Sequence, residues 1–301
     1  MKTPYATIAE NILVYKGALM FQHFVITRFN LLVPAVEQAK GGTPILDESW
    51  MTNRLALFEQ YCFSSLKAQT NQQFTWLVFF DVHTPEEFRE KINSFQSEFS
   101  NFIPIFIDGM EAYLPSIKKE IADRLTQPYL ITSRLDNDDC LHQDFIKEVQ
   151  TEFDQQDFLA IDFVDGYTLQ IEPEVRLAYR SHVHNPFISL IEKADDFVTV
   201  WSRKRHGQWS QVKKLKSVRN KRVWMSVIHI ENATNIFLGY GDIDWQIIAP
   251  FHIERKIELQ LKQRNSPFVN WKKLSFKQNI KTRWKVTSKL LRRKLFPFLL
   301  N

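Results

Sequence analysis

Strand-like and helix-like segments alternate along the first half of this sequence, from residue 23 to residue 163. Short apolar runs such as FTWLVFF (74–80) are typical of strands that are covered on both faces. Longer stretches such as DESWMTNRLALFEQYCFSSLKAQ (47–69) repeat apolar residues at spacings of three and four, as amphipathic helices do. Because repeated strand–helix–strand units close through right-handed crossovers, the pattern predicts an α/β fold with a mainly parallel, Rossmann-type sheet flanked by helices.

The predicted order is regular up to residue 163 and changes afterwards. The segment GYTLQIEPEVRLAYR indicates two strands joined by a turn at Glu172 and Pro173. We predict one domain over residues 1–250, with an irregular C-terminal third, and a basic helical tail over 251–301. The predicted strands lie at 23–29, 74–80, 101–107, 128–135 and 157–163, and the predicted helices at 47–69, 84–99, 113–126 and 142–153.

Positive charge is concentrated near the C-terminus. The chain has a formal net charge of +5, but residues 259–301 hold 12 Lys or Arg and no Asp or Glu. In this tail Trp284, Leu291 and Leu295 recur at helical spacing among the cations. Such a basic amphipathic segment fits an anionic membrane surface, and the alternative is a C-terminal helix that packs on the acidic body.

Cysteine use and hydropathy restrict the location of the protein. Only Cys62 and Cys140 are present, which argues against a disulfide framework and favours a reducing compartment. We find no signal-peptide pattern at the N-terminus and no run of 18 apolar residues that would span a bilayer. We expect a cytoplasmic protein, and the basic tail suggests a peripheral position at the inner face of the membrane.

Three carboxylates follow the fourth predicted strand, in the segment RLDNDDC. In an open α/β sheet, ligands bind beyond the carboxyl ends of the strands. Asp136, Asp138 and Asp139 offer the hard oxygen ligands that Mg²⁺ or Mn²⁺ takes when it bridges to phosphate. A calcium EF-hand loop is excluded, because Leu141 and Lys147 stand where it needs Gly and Glu. From spacing alone, a metal site and a solvated, capped turn both stay open.

Four segments carry a resemblance to a known family, namely FVITRFNL, SSLKAQTNQQFTWLVFFDVHTP, RLDNDDCLHQDFI and HNPFISLIE, in this order. Over roughly residues 22–235 the chain resembles the putative rhamnosyltransferase family. The resemblance implies a metal-dependent glycosyltransferase of the GT-A fold, which inverts the anomeric centre in a single displacement. It also implies a nucleoside diphosphate sugar as donor, L-rhamnose as the sugar suggested by the family name, and a glycan or lipid-linked saccharide as acceptor.

The resemblance implies roles for the three carboxylates and for one histidine. Asp136 would face the ribose or the sugar, whereas Asp138 and Asp139 would ligate Mn²⁺ or Mg²⁺. The cation would offset the negative charge that builds on the leaving diphosphate. His229, after a strand-like run, would complete the metal shell. The alternatives are a helix N-cap for Asp139 and a purely structural role for His229.

Three residues at strand ends lie where such folds receive the nucleotide. Arg28 would reach a phosphate, and Asp81 would accept a hydrogen bond from the base or the ribose. Arg134 would pair with the carboxylates of the acidic loop whether or not a nucleotide is bound. The alternative for Arg28 and Asp81 is an ion pair at the sheet edge.

An inverting transfer needs a carboxylate or a histidine that takes the proton of the acceptor hydroxyl. Glu192, in HNPFISLIE, is the first candidate, and Asp196 is the second. The other carboxylates that stay open are Asp195, Asp242 and Asp244. His206, in a basic loop, would touch the acceptor or a phosphate, unless it is a solvated loop residue. Two roles stay open for three tryptophans, which either stack on sugar rings or belong to the core: Trp201, Trp209 and Trp224.

Two other functions compete with sugar transfer. A sugar-phosphate nucleotidyltransferase shares an acidic metal site, but it usually has a glycine-rich loop after the first strand, and TRFNLLVPAV contains no Gly. A non-catalytic protein that binds lipid surfaces or nucleic acid through the basic tail would show a steep salt dependence and no metal requirement. That function leaves the acidic cluster unexplained, so nucleic acid is not an expected partner.

Overall fold

The computed structural model describes residues 20–33, 47–203, 206–232 and 236–296 of the 301-residue chain. The N-terminal segment, for which we predict no signal peptide, lies outside these ranges, as do residues 297–301 of the predicted tail. In chain order the strands are β1 (Phe21–Arg28), β2 (Thr75–Asp81), β3 (Phe102–Ile107), β4 (Tyr129–Arg134), β5 (Cys140–Leu141), β6 (Phe158–Phe163), β7 (Asp165–Gln170), β8 (Arg176–Ser181), β9 (Ser189–Lys193), β10 (Leu215–Val218) and β11 (Trp224–Ile228).

Helix α1 begins as an α-helix over Glu48–Leu57, continues as a π-helix over Phe58–Phe63 and ends as an α-helix over Ser64–Lys67. The other helices are α2 (Glu86–Glu98), α3 (Tyr113–Ala122), α4 (Phe145–Gln150), α5 (Arg255–Gln263) and α6 (Phe268–Leu295). Short 3₁₀ segments lie at Val200–Ser202, His206–Gln211 and Trp245–Phe251. None of the described helices is both long and apolar enough to cross a membrane.

The larger sheet has seven strands in the order β10-β6-β9-β4-β1-β2-β3. β1 pairs in parallel with both β2 and β4, and β2 pairs in parallel with β3. This arrangement confirms the predicted mainly parallel α/β sheet, and the predicted strands and helices occur within a few residues of the expected bounds. The exception to parallel pairing is β9, which lies antiparallel between β4 and β6 and is not predicted from the sequence.

The region after residue 163 builds a second sheet of four strands, in the order β5-β11-β7-β8. Its antiparallel β7–β8 pair confirms the two strands predicted around Glu172 and Pro173. β5 follows the acidic loop directly and pairs with β11, with Cys140 beside Met225. The acidic loop (136–139) therefore connects the two sheets.

Aromatic side chains fill the space between the larger sheet and α1, α2 and α4. The ring centroids of Phe58 and Trp76 are 5.3 Å apart, and those of Phe63 and Phe95 are 4.7 Å apart. Large rings bury much apolar area and gain further from edge contacts, so this cluster fixes α1 against the sheet. The opposite face of the sheet is covered by α3 and by the 3₁₀ segments at Val200–Ser202 and His206–Gln211, where Trp209 is 1% exposed.

Helix α6, the main part of the predicted tail, packs on the body along one face. Trp271 and Val286 are 5% and 4% exposed. Arg293 Nη2 donates hydrogen bonds to the carbonyl oxygens of Val212 and, at 2.8 Å, of Lys213. One face of the helix is thus packed against the body, and the opposite face is exposed to solvent.

Candidate active site

The acidic loop leaves the carboxyl end of β4 at the centre of the larger sheet. β4 lies beside β1, with Arg134 opposite Ile26, so the carboxyl ends of both strands meet at one edge. Asn137 Nδ2 donates a hydrogen bond to the carbonyl oxygen of Phe29 at 2.9 Å, which joins the loop to the end of β1. The loop therefore lies where open α/β sheets bind ligands.

Asp138 is the carboxylate on which other side chains converge. Its Oδ2 atom accepts hydrogen bonds from Arg54 Nη1 at 3.0 Å and from Asn232 Nδ2 at 3.0 Å, and it lies 2.9 Å from His229 Nε2. The side chains of Arg54 and His229 are only 9% and 2% exposed. Burial acts to raise the pKa of Asp138, but the hydrogen bond from His229 and the charge of Arg54 outweigh it, and the pKa falls below its ordinary value.

Arg54 reaches this carboxylate because it stands on the buried face of α1. Its neighbours on that face, Met51 and Leu55, are 0% and 5% exposed. Besides Asp138, Arg54 Nη1 donates to Asn137 Oδ1 at 3.2 Å, and its guanidinium lies 5.3 Å from the centre of the Trp50 ring. A buried arginine with a carboxylate partner holds the loop in one conformation.

Asp139 serves the connection between the sheets. Its Oδ1 accepts a hydrogen bond from the backbone N–H of Val227 in β11 at 2.9 Å, and its buried Oδ2 has no hydrogen-bond partner among the described residues. Burial, followed by the neighbouring charges of Asp138 and Asp136, raises the pKa of Asp139 well above its ordinary value. The contact is with a strand, so the N-cap alternative for Asp139 receives no support from this geometry.

The predicted metal ligands are present as a pair rather than as a complete shell. Among the described residues, no three His, Cys, Asp or Glu side chains are grouped as a metal site. Asp138 and His229 are in contact, and Mg²⁺ or Mn²⁺ commonly takes one or two protein ligands and completes its shell with phosphate and water. The pair therefore fits a cation that is bound together with a diphosphate, although Arg54 shares the same carboxylate oxygen.

A second group of side chains lies next to the loop. The Arg134 guanidinium lies 4.1 Å from the centre of the Trp201 ring and donates to Asp136 Oδ1 at 3.1 Å. The Tyr113 ring packs edge-on against Trp201 with centroids 5.0 Å apart, and the buried Tyr113 hydroxyl has no partner in the described structure. Asp136 is 31% exposed and is therefore open to a ligand. These side chains form a cationic and aromatic wall beside the carboxylates.

Arg28 and Asp81 lie at the same edge but differ in accessibility. Arg28 is exposed, and its Nη1 lies 3.6 Å from Met110 Sδ. Asp81 is 0% exposed, and its carboxylate accepts hydrogen bonds from the backbone N–H groups of Leu32 and His83, at 3.0 Å each. Asp81 thus stabilises the turn after β2, and its burial does not agree with the predicted direct contact to a nucleotide.

Glu192 and Asp196 lie at the opposite edge of the sheet. Because β9 is antiparallel to β4, Glu192 stands beside Leu130, near the amino end of β4. Its two oxygens accept hydrogen bonds from the backbone N–H groups of Val198 and Thr199, at 2.8 and 2.9 Å, and burial raises its pKa to about 7. Asp196 follows β9 and is exposed. This geometry corrects the predicted base, since neither carboxylate lies near the acidic loop.

His206 lies beside His182 and His184, which follow β8. Its Nδ1 is 2.6 Å from the carbonyl oxygen of His184, a contact that requires Nδ1 to donate and leaves Nε2 as an acceptor. Burial is the main cause that lowers its pKa, and the charges of Arg134 and Asp136 act on it in opposite directions. The lowered pKa favours the neutral imidazole, which lies within electrostatic range of Arg134 and Asp136.

The sequence analysis did not identify three residues that build this site, Arg54, Asn137 and Asn232. Arg54 left one signal, since it stands four residues after Trp50 and four before Phe58, on the apolar face of the predicted helix. A charged residue at such a position predicts a buried partner. No local sequence pattern indicates the role of Asn232, because its Nδ2 atom contacts Asp138, which is 94 positions away along the chain.

This protein thus places its acidic loop at the crevice where open α/β sheets bind their ligands. It belongs to the family described as putative rhamnosyl transferase, whose model matches residues 22–239. No curated protein matches the chain.

Distant similarity extends to several solved structures. TarS of S. aureus (1–349) is 12% identical with a TM-score of 0.39, and the match covers 68% of this chain and 60% of that one. A putative nucleotide-diphospho-sugar transferase from Desulfovibrio desulfuricans G20 is 8% identical with a TM-score of 0.39, covering 83% and 100% of the two chains. HddC from Yersinia pseudotuberculosis is 13% identical with a TM-score of 0.34, covering 68% and 93%. The chain thus spans less than two thirds of the TarS fragment, and at these scores the comparisons say nothing of ligands.

Proposed function

We propose that this protein is a metal-dependent, inverting glycosyltransferase that moves a sugar from a nucleoside diphosphate to a glycan or a lipid-linked saccharide. The observation that carries the proposal is the convergence of Arg54, His229 and Asn232 on the buried Asp138 at the carboxyl end of the central strands. L-Rhamnose is the transferred sugar that the family description favours.

Different side chains around the acidic loop contact different parts of the donor. Asp138 and His229 would hold Mn²⁺ or Mg²⁺, which would supply positive charge to the diphosphate of the donor. Arg28 and Arg134 contribute further positive charge at the same edge, and Asp136 accepts hydrogen bonds from ribose or sugar hydroxyls. Asp139 supports the loop through Val227 and does not need to contact the cation.

We assign the proton acceptor to His206. In the transfer step, the acceptor hydroxyl loses its proton to His206 Nε2 while its oxygen forms a bond to the anomeric carbon. The bond between that carbon and the diphosphate oxygen breaks, and the electron pair leaves with the nucleoside diphosphate. The hydrogen bond from Nδ1 to the His184 carbonyl oxygen stabilises the ring as it becomes positively charged.

Donor and metal binding can be tested by thermal unfolding of the wild type and of Asp138→Ala with a panel of nucleoside diphosphates, with and without Mn²⁺. Because a ligand that binds only the native state stabilises it by mass action, about 2.7 kcal/mol at a hundredfold excess over Kd, we expect one nucleotide to raise the wild-type Tm by several degrees. The shift should require Mn²⁺ and should be absent in Asp138→Ala.

Asp157→Ala is the matched control, since Asp157 is an exposed carboxylate paired only with Lys193 at the far edge of the sheet. It should keep the full shift. A nucleotide shift of equal size without Mn²⁺ would refute the metal requirement and leave Arg54 and Arg134 as the source of positive charge. No shift with any nucleotide would refute the donor.

We also propose that the outer face of α6 holds the enzyme at an anionic membrane surface. The helix contains 10 Lys or Arg and no acidic residue. Six of its exposed apolar residues recur at spacings of four and seven and so lie on one side, whereas exposed Leu274 lies off this stripe. The six are Val269, Phe276, Ile280, Trp284, Leu291 and Leu295. Trp284 and Phe276 are 73% and 68% exposed, and an apolar stripe among cations is the composition of an interfacial helix.

Binding to vesicles tests this surface. We expect sedimentation with vesicles that contain phosphatidylglycerol, weaker binding at high salt, and little binding to phosphatidylcholine alone, because each Lys or Arg gains about 1 kcal/mol near an anionic surface. Phe276→Ser/Trp284→Ser should lower the bound fraction at least about tenfold, since two large apolar contacts are lost. Leu259→Ser removes an apolar residue that is 45% exposed on α5 and should bind as the wild type does. Equal binding of all three proteins would overturn the assignment.

A further inference from the structure

A small cavity lies between the end of β8 and the inner face of α6. Its volume is about 150 Å³, which is room for one phosphate group. Its charged and imidazole lining comes from Arg180 and His182 at β8 and from Lys285 and Lys289 on α6. The lining contains no carboxylate.

Positive charges crowd this cavity without a matching acid. Burial lowers the pKa of His182 well below its ordinary value, and the charge of Arg180 lowers it further. The pKa of Lys289 is lowered by burial and then by Lys285. An anion in the cavity would offset the cost of burying Arg180 and Lys289 and the repulsion between Lys289 and Lys285.

Of the nearest carboxylates, Asp162 is engaged through both of its oxygens, whereas Asp139 keeps a buried Oδ2 without a partner among the described residues. Asp162 accepts hydrogen bonds from the backbone N–H of His184 at 2.7 Å and from Asn185 Nδ2 at 2.8 Å. Asp139 acts on Arg180 but accepts its own hydrogen bond from Val227. Arg180 Nη1 is buried and has no hydrogen-bond partner within the described ranges, so it lacks an acceptor.

The cavity is next to the proposed transfer site. The His182 ring, which lines it, packs edge-on against His206 with centroids 5.5 Å apart. Burial lowers the pKa of Arg180 and the charge of Asp139 acts to raise it, so Arg180 lines the cavity within electrostatic range of the acidic loop. A ligand in the cavity would therefore lie close to the hydroxyl that His206 activates.

We infer that this cavity binds a phosphate group of the acceptor, through Arg180, His182, Lys285 and Lys289. The inference rests on the proposed function only in naming the acceptor as the source of the phosphate. The site itself is a phosphate site that neither the donor nor the metal occupies, and it places a phosphorylated, lipid-linked or soluble, saccharide beside the donor.

Thermal unfolding and calorimetry at constant ionic strength test the site with inorganic phosphate and pyrophosphate, against chloride. We expect both oxyanions to stabilise the wild type, and Lys285→Met/Lys289→Met to bind them at least about tenfold more weakly, because two charge-assisted hydrogen bonds are lost. Lys277→Met/Lys281→Met removes the same charge from exposed positions of α6 and should bind as the wild type does. Equal weakening in both pairs, or no binding to the wild type, would overturn the site.

A short-chain prenyl phosphate distinguishes the acceptor from free phosphate. Tighter binding of the prenyl phosphate than of inorganic phosphate supports an acceptor site, whereas equal binding overturns that assignment and leaves a site for free phosphate. Asp138→Ala should keep its phosphate response, and Lys285→Met/Lys289→Met should keep its nucleotide shift with Mn²⁺. Failure of the cavity and failure of the donor site are thus separate results.

Discussion

Arg54→Met should lower the free energy of unfolding by about 3 kcal/mol, because it leaves the buried carboxylate of Asp138 without its cation. Methionine retains the apolar stem of arginine, so the volume filled on this buried face of α1 is largely kept. Urea unfolding followed by circular dichroism, with the midpoint and slope fitted together, measures the loss.

The matched double variant decides whether the effect belongs to the pair. Arg54→Met/Asp138→Asn removes both charges, and we expect it to recover at least half of the lost stability, since no uncompensated charge stays buried. Arg124→Met, which removes a partly exposed arginine paired with Glu120 on the surface, should cost no more than about 1 kcal/mol. If Arg54→Met and Arg124→Met lost the same amount, the buried pair would not be a main contact of the loop.

His206→Gln should reduce kcat/KM for sugar transfer by about 10²- to 10³-fold, which is the range for loss of a general base. In the wild type, activity needs the neutral imidazole and is lost as the pH falls through the pKa of His206. Burial lowers that pKa, so the acid limb should lie below the range of an ordinary histidine. In His206→Gln this limb should disappear from the profile.

Several other charges face this ring and are constant in the comparison. They are Arg134 at the end of β4, Asp136 in the acidic loop, His182 and His184 after β8, and Lys289 on α6. The matched control is His252→Gln, an exposed histidine whose Nε2 contacts Gln143 at 2.8 Å. It should leave the profile unchanged. If His206→Gln kept both the rate and the acid limb, His206 would not be the general base. An unchanged nucleotide shift in the same variant would show that the donor site is intact.

Five strands of the larger sheet, β1, β2, β3, β4 and β6, could be predicted because each is marked locally by a short apolar run next to amphipathic helices. β10, which pairs in parallel with β6, has no such run and was not predicted. The position of Asp138 followed from the same pattern, since the motif directly follows the apolar run of β4. The position of Glu192 could not be predicted from local patterns. A parallel strand would have carried it to the carboxyl edge, but β9 runs in the opposite direction, and strand direction depends on pairing across distant segments.

The partners of Asp138 illustrate a second limit. Arg54, His229 and Asn232 approach it from 84, 91 and 94 positions away along the chain. Hydrophobic periodicity describes neighbours within a few turns, whereas these contacts are set by how the second sheet packs on the first. A single sequence contains the residue types of the site but not their distances.

The hydrogen bond between Asp139 and Val227 also has a consequence for engineering. One carboxylate of the motif is anchored in the second sheet, while its neighbour Asp138 is held by a helix of the first. A chimera that takes only one of the two sheets from a relative would combine the acidic loop of one parent with the hydrogen-bond partners of the other. Recombination among family members should therefore place its crossover points outside residues 48–232, so that the two sheets are inherited together.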